Sequence, residues 1–582
     1  MKTRWWIVAV LFIEGALLPW TAHAYDVTAF LSHAERVYFG RVSPVALWPF
    51  GSISLGILLL SQLPIVLFPQ SWSALPLRIL LLKFPAWCAD VGSAAVIRAS
   101  SLNSGDANSW ALRYLLDPAV VFVTVFHGQA DAIPAFLALA GIALTLTQRF
   151  ELAGVALGLG AGAKFFPAAF VPLLVVCALR QSSSRRAALA FGAFAATAAL
   201  ALLPVLWGRA HWVLAAYANN SFGPESAGVS IASFWSLLPR GFASRPLPQI
   251  EQLLAVAVPV VLAAAELRHR PQRRDVARAA LLSAMSIVLL NPGAHPPFYL
   301  WIAGPLVLYA AVANDYVVSL GGLVLSCVAP LTQFCQEGSD EYFQLSFGPG
   351  HGLELLRCVS PPVALTGAGL AAAAFIVVAC YRRELFSQRW IDGLTRAGRL
   401  APPIVFAAFV AAIAAETAFA AIHARPSGYP AQERLLNTIA VDPLVRESAG
   451  GCALTFAAND VIVYAGNEYA SRFATASLGY TLFSPEEITV RGRAMPVEKL
   501  PSVFENVDVR TLGQEPVRIT REFDVTSLLR PFRDVEHFIE RPCSLIRENP
   551  LLIYRFDFAA AQQAAAKLPL LQRLDVFSRG GT

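Results

Sequence analysis

The sequence predicts an all-α polytopic membrane protein, a helical bundle of about 13 spans over residues 1–423, followed by a small all-β sandwich domain outside the membrane over 424–582. Three observations predict it. Hydrophobic residues make up 56% of the 582 and charged residues 14%, with a mean hydropathy of +0.55, more apolar surface than a soluble fold can bury. The apolar runs are long and unbroken rather than alternating, which selects helices over a lipid-facing barrel. Past residue 424 the texture changes to short β-rich runs between turn residues.

At about 20 apolar residues per crossing, spans fall near 5–22, 47–68, 76–98, 109–126, 131–148 and 152–179, then near 187–207, 250–265, 279–291, 297–313, 316–334, 361–380 and 400–422. Basic loops set the orientation, because Lys and Arg near span ends stay cytoplasmic. Four such segments stand out: Lys2 with Arg4, Arg180 with Arg185 and Arg186, RHRPQRRDVAR at 268–278, and YRRELFSQRW running on to Arg399. Even numbers of spans separate successive members, so one side holds all four. Residues 23–46, 208–249, 292–296, 335–360 and everything after about 423 then face the other side. The net charge of +6 is mostly this topology and implies no nucleic-acid partner. Residues 1–24 also imitate a secretory signal, with Thr21-Ala22-His23-Ala24 as a cleavage site; an uncleaved first helix is the favoured reading.

Five stretches carry a family resemblance. YDVTAFLSHAERVYFGRVSPVALWPFGSISLGILLL (25–60) resembles the first external loop of the C-type superfamily of polyprenyl-phosphate-sugar-dependent glycosyltransferases (GT-C). The order is an acidic residue (Asp26), an amphipathic segment (Phe30 to Phe39), a glycine (Gly40), and Trp48-Pro49-Phe50 where the family often has Tyr-Pro-Pro. KFPAWCADVGSAAVI (83–97) looks like the third span and HGQAD (127–131) like a Gly-Gln-x-Asp turn. ELAGVALGLGAGAKFFPAAFVPLL (151–174) is similar to a glycine-rich helix ending in Lys-x-x-Pro. NPGAHPPFYLWIAGPLVL (291–308) resembles a late segment where His or Gln precedes an aromatic pair. The resemblance covers about residues 1–315 and is best to the mannosyltransferase-like, bacterial branch.

It implies transfer of a hexose, with mannose favoured, from a polyprenyl-phosphate donor to an extracytoplasmic glycan, lipid or protein acceptor, with inversion and no cofactor beyond the donor itself. Such transfer needs a base to take the acceptor proton as an oxocarbenium-like centre forms. Asp26, at headgroup depth by parity, is the candidate; a solvated aspartate that ends a helix is the alternative. Glu35 is a weaker second acid, better read as the polar face of an amphipathic helix. His295 could bond or protonate the departing phosphate, with Tyr299 leaning over the same cavity; a polar cap in a proline-rich turn is the alternative. Arg78, Lys83 and Lys164 lie in or beside spans, where a charge needs a partner or a function; Lys83 and Asp90, two turns apart, share a face, and phosphate binding and an ion pair both remain open. Parity puts His127, Gln129 and Asp131 at the cytoplasmic end of spans four and five, the wrong side, unless those segments are half-helices meeting inside the bundle.

The loop from Trp207 to Ile250 carries His211, Trp212, Tyr217, Glu225, Trp235 and Arg240, suited to sugar stacking or, for the tryptophans, interfacial anchoring. Without Asp-x-Asp, paired His or Cys-x-x-Cys, no essential metal is expected. Cys335 with Cys358, and Cys452 with Cys543, are the expected external pairs. In the terminal domain, CALTFAA, DVIVYAG, EEITVRG, PVRITREFDV and PLLIYRFDF read as strands, and REFDVTSLLRP (521–531) looks like the edge of jelly-roll sugar-binding domains, with Asp534 where that pattern has Asn. The predicted location is the cell (inner) membrane. A lipid-linked-glycan or solute transporter and a non-catalytic scaffold presenting the β-domain are the rival classes; the first predicts internal repeats, and none is found.

Overall fold

The computed structural model describes residues 2–23, 51–67, 75–101, 106–207, 247–267, 271–291, 295–337 and 362–423, isolated residues between 26 and 37 and from 342 to 346, and strands beyond 440. The helices are α1 Lys2–Leu17, α2 Ser52–Leu67, α3 Leu75–Ser100, α4 Ala107–Leu115, α5 Pro118–His127, α6 Ala132–Leu146, α7 Phe150–Ala163, α8 Val171–Gln181 and α9 Ser184–Leu206. Then come α10 Leu247–Glu266, α11 Arg273–Leu289, α12 Leu300–Ala313, α13 Tyr316–Glu337, α14 Pro362–Tyr381 and α15 Gln388–His423. By internal contacts the chain divides into one unit of residues 1–22, 50–57 and 79–424 and another of 23–49, 58–78 and 425–582.

Among the described residues, five helices are long and apolar enough to cross a membrane: Pro76–Ser100, Ser184–Leu206, Pro296–Ala313, Tyr316–Phe334 and Gln388–Ile422. The bent pair α4 and α5 makes a sixth if it counts as one span. Of the other expected spans, α10 and α14 are 20 residues long, while the fifth and sixth come as shorter pieces. α6 has 15 residues and α7 has 14, about 22 Å of helix against a hydrocarbon core of about 30 Å. The 152–179 segment is broken by an extended Lys164 and a 3₁₀ turn at Phe166–Phe170. Hydropathy sees the apolar run; it does not see the break.

Packing in the first unit follows membrane rules. Gly154, Gly158 and Gly162 form one small stripe along α7, against which α9 lies backbone to backbone; a Cβ at Gly158 would sit 2.7 Å from the Phe194 carbonyl oxygen. The opposite face of α9 leaves Leu189, Phe191, Leu200 and Leu203 exposed, as a lipid-facing surface would. Polar rungs tie the other helices. Trp87 Nε1 on α3 donates to Glu14 Oε2 on α1 at 3.0 Å, Tyr114 Oη on α4 donates to Asp90 Oδ1 at 2.9 Å, and Ser326 Oγ on α13 donates to Asp117 Oδ2 at 2.9 Å.

The basic loops carry their own counter-charges. Arg186 forks onto Glu151, Arg278 bonds Glu266 and Asp275, and Arg383 reaches Asp315 at 3.0 Å. Arg113 packs against the paired rings of Trp110 and Tyr316 and donates from Nη1 to the Gly398 carbonyl at 2.5 Å and to Ser319 Oγ at 3.2 Å. Gly398 sits four residues before Pro402, which has no N–H to give it, so the arginine supplies the missing donor.

In the second unit the described strands are β1 Ala440–Val441, β2 Leu444–Ser448, β3 Gly451–Ala457, β4 Asp460–Val463, β5 Ala474–Thr475, β6 Leu482–Phe483, β7 Glu487–Val490, β8 Arg493–Pro496, β9 Arg518–Phe523 and β10 Leu552–Arg555, and among the described residues they form two antiparallel five-stranded sheets, ordered β1-β10-β4-β6-β5 and β2-β3-β9-β7-β8. Each of the five runs singled out in the sequence contains a strand: β3 Gly451–Ala457, β4 Asp460–Val463, β7 Glu487–Val490, β9 Arg518–Phe523 and β10 Leu552–Arg555. The jelly-roll-like edge beyond Phe523 lies outside the described residues, as do Cys358 and Cys543 and the side chains of Cys335 and Cys452; Cys88, Cys177, Cys327 and Cys380 are free thiols.

Substituting Gly158→Leu drives a side chain into the α9 backbone and is expected to destabilise the protein by about 1–3 kcal/mol. Gly192→Leu, where a Cβ meets nothing, is the control and should melt within 1 °C of wild type or nearly so in detergent.

Candidate functional site

Three sequence stretches converge in the first unit on one buried ion pair. Lys164 Nζ bonds both oxygens of Asp131, at 2.8 and 3.0 Å, with side-chain exposures of 15% and 5%. The local reason is helix ends: Asp131 stands at the N-terminal entry of α6, and Lys164 stands where α7 has just stopped. The third contribution is Trp301 on α12, whose Nε1 donates to Asp131 Oδ1 at 2.8 Å. One carboxylate thus accepts from an ammonium and an indole.

An aromatic ladder lies beside the pair. The Trp301 ring stacks on Phe166 at 4.0 Å and on Phe298 at 4.1 Å, and His295 meets Phe298 edge-on at 5.7 Å. Lys164 Nζ is 4.7 Å from the Phe298 ring centre and 5.3 Å from that of Trp301, so its charge is held by two π faces as well as by Asp131. Burial decreases outward: Trp301 is buried, Phe298 and Gln129 half-buried and His295 exposed. A cation and flat aromatic faces at the mouth of a helical bundle suit a ligand with an anionic group and a sugar ring.

The approach to Asp131 is irregular backbone. α4 and α5 are bent by 44° at Asp117, which caps α5 by accepting from the Ala119 N–H at 3.0 Å. The last seven residues of α5, Val121–His127, form a π-helix that ends at Gly128 with φ 86°, a left-handed conformation favouring glycine. The fourth segment is thus bent within itself at Asp117 and ends in irregular backbone. It brings Asp131 to Lys164 and Trp301. His127 goes elsewhere, buried edge-on to Phe122 at 5.6 Å and Tyr342 at 5.8 Å in an aromatic cluster with Phe126 and Phe334.

The remaining candidates are placed as follows. Lys83 is fully buried, and its three N–H groups go to backbone carbonyls: Leu18 at 2.9 Å, Thr21 at 2.5 Å and Val125 at 2.5 Å. It pairs with those carbonyls rather than with Asp90, and the Thr21 hydroxyl lies 3.4 Å away. Tyr299 is 2% exposed inside the helical core, and Trp301, two residues on, brings its indole N–H to Asp131. Arg78 is buried, its carbonyl accepting from Gln62 Nε2 at 3.2 Å. In the second unit, Asp26 keeps a partly exposed carboxylate, with Oδ2 3.4 Å from His23 Nδ1, while the Asp26 N–H lies 3.3 Å from the same nitrogen. Glu35, Gly40, Trp48 to Phe50 and the 208–246 loop with His211, Trp212, Tyr217, Glu225, Trp235 and Arg240 lie outside the described residues.

Sequence reasoning missed Trp301, Phe298, Phe166 and His23. A signal for the ladder was present: His295, Phe298 and Trp301 are spaced by three, the period of the 3₁₀ turn Pro296–Tyr299 that starts α12.

A double-mutant cycle on Asp131→Asn and Lys164→Met tests the pair. Each single change strands its partner and should cost about 3–5 kcal/mol, and the double variant is expected to cost far less than the sum.

Residues 42–292 match the family model of glycosyltransferase family 87, a match that supports a membrane glycosyltransferase. The matched stretch contains Lys83, Asp131 and Lys164 and stops short of His295 and Trp301. No curated protein matches the chain.

Proposed function

We propose that this membrane glycosyltransferase moves a hexose, with mannose favoured, from a polyprenyl-phosphate carrier to an extracytoplasmic glycan, lipid or protein acceptor. The observation that carries the reading is the Asp131–Lys164–Trp301 centre, in which residues 131, 164 and 301 meet inside or beside a glycosyltransferase family match. Lys164 supplies positive charge to the donor's phosphate, and the half-buried Phe298 ring at the outer end of the stack supplies a face for the sugar.

Asp26 acts as the base. The acceptor oxygen attacks the anomeric carbon as the bond from that carbon to the phosphate oxygen breaks, and the electron pair leaves with polyprenyl phosphate. The hydroxyl proton passes to Asp26, and one displacement inverts the anomeric centre. His23 stands beside this carboxylate and holds its orientation. The leaving phosphate is already an anion, so the step asks for electrostatic stabilisation and no cofactor beyond the donor. The four basic segments support a topology with Asp26 and the C-terminal sheets outside the cell (inner) membrane, and the resemblance of residues 521–531 supports a β-sandwich there able to bind carbohydrate.

The test is sugar transfer from radiolabelled polyprenyl-phosphate mannose and glucose in membranes holding matched amounts of wild type or Asp26→Asn. Loss of the base should lower transfer by about 10²–10⁴-fold. Equal activity in the variant would reject Asp26 as base, and no transfer by wild type from either donor would shift the reading to another sugar or to a lipid-linked-glycan transporter.

A further inference from the structure

We infer that Lys83 is a positioning residue, a tethered cation that holds the turn carrying Gln129 and Asp131 in place by gathering the carbonyls of two helix ends. The inference deepens the reading above and rests on it in one respect, that the 127–131 turn belongs to the transfer site.

The argument is a count of donors and acceptors. A lysine ammonium has three N–H groups and no acceptor. Around Lys83 Nζ stand three carbonyl oxygens, those of Leu18 at 2.9 Å, Thr21 at 2.5 Å and Val125 at 2.5 Å, with Thr21 Oγ1 at 3.4 Å. Two of these belong to the run-out of α1, where carbonyls lose their helical donors and the helix dipole is negative. The third belongs to the π-helix. There the N–H groups of Gly128 and Gln129 both turn back to the Val123 carbonyl, at 2.9 and 3.2 Å, and Val125 is left to Lys83 and to Thr21 Oγ1 at 2.7 Å. Three donors thus face three carbonyls, with the Thr21 hydroxyl, itself a donor to Val125, beside them.

Placement gives the count its meaning. Val125 is two residues before His127 and six before Asp131, and Gly128 between them takes its left-handed turn directly after the π-helix. On α3, Lys83 and Trp87 are one turn apart and engage α1 at Thr21 and Leu18 and at Glu14, so the lysine is held on a rigid rail. A displacement of the Val125 carbonyl passes through three residues into the turn and moves Asp131 relative to Lys164. Lys83 touches no open surface, so it acts through backbone and is not a catalytic residue.

The carbonyl cage also predicts its own rescue. Lys83→Ala removes the ammonium and stem but leaves three carbonyls and a hydroxyl converging on a point, the donor set that suits a bare ammonium or potassium ion. The experiment uses full-length protein in lipid nanodiscs, wild type, Lys83→Met and Lys83→Ala, with hydrogen–deuterium exchange by peptide and thermal melts in sodium, ammonium, potassium or tetramethylammonium chloride.

Exchange in Lys83→Met is expected to rise about tenfold or more over 121–131 and 18–22, with α7 and α9 peptides near wild type. Ammonium or potassium should restore protection to Lys83→Ala, and tetramethylammonium, too large for the cage, should not. Unchanged exchange over 121–131, a rise spread evenly over the bundle, or protection indifferent to the cation would each overturn the inference. Transfer assays on the same samples separate it from the reading it rests on. Lys164→Met leaves the Lys83 cage intact, so full transfer by that variant rejects donor binding at Lys164 while the exchange data still decide the tie. If both stand, transfer by Lys83→Ala rises with ammonium in step with protection, whereas a lysine that only stabilises the bundle would change the melt and leave the turnover of the folded fraction alone.

Discussion

The buried pair of Asp131 and Lys164 is the constraint around which the first unit is organised. A carboxylate 5% exposed in an apolar bundle persists only if its charge is met, and here an ammonium and an indole N–H meet it. Meeting it requires that α6 begin, α7 end and α12 pass at the same place. That explains why each of the three is short or irregular at the end that meets the pair. α7 stops at Lys164, α12 is preceded by a 3₁₀ turn, and α5 reaches α6 through a π-helix and a left-handed glycine. Irregular backbone at such depth is tolerated because its polar groups find partners, among them the side chains of Lys83, Thr21 and Asp117.

The glycine stripe of α7 belongs to the same logic. Gly154, Gly158 and Gly162 let α9 approach the backbone of α7 closely, and close approach fixes the axis of the helix that presents Lys164 at its end. Ser54 Oγ on α2 donates to the Ala163 carbonyl at 2.8 Å, securing the residue just before the lysine. A bundle that must hold a cation in one position thus uses small residues for registry and side-chain hydroxyls for helix ends.

The sequence disclosed the parts of this that depend on composition and local order. Hydropathy marked the apolar segments, the five β-rich runs past residue 424 each contain a strand, and Asp131 and Lys164 were singled out within short motifs. It could not disclose partners. Trp301 lies 170 residues from Asp131, and nothing local to NPGAHPPFYLW says that its indole, rather than the Tyr299 hydroxyl, faces the site. That choice is made by where the 3₁₀ turn hands over to α12. Lys83 shows the same limit in another form. Its spacing from Asp90 suggested a carboxylate partner, yet its true partners are backbone carbonyls, which carry no sequence signature at all.

Among the described residues, five or six helices are long and apolar enough to cross where hydropathy alone expects about thirteen, for a related reason. Hydropathy measures how apolar a stretch is, whereas crossing a bilayer also needs length without interruption, about 20 residues of helix. Residues 152–179 are apolar throughout and are nevertheless split at Lys164, because a charge required in the interior is cheapest to supply where a helix ends and its side chain can turn back onto a partner. The short, broken helices are therefore the ones to search for chemistry. Among the long ones, α9 exposes its leucines as a lipid-facing helix would, whereas Pro296–Ala313 and Tyr316–Phe334 are buried within the bundle. Breaks in apolar runs that fall beside Lys, Asp or Gly mark the site in this chain more directly than any single motif does.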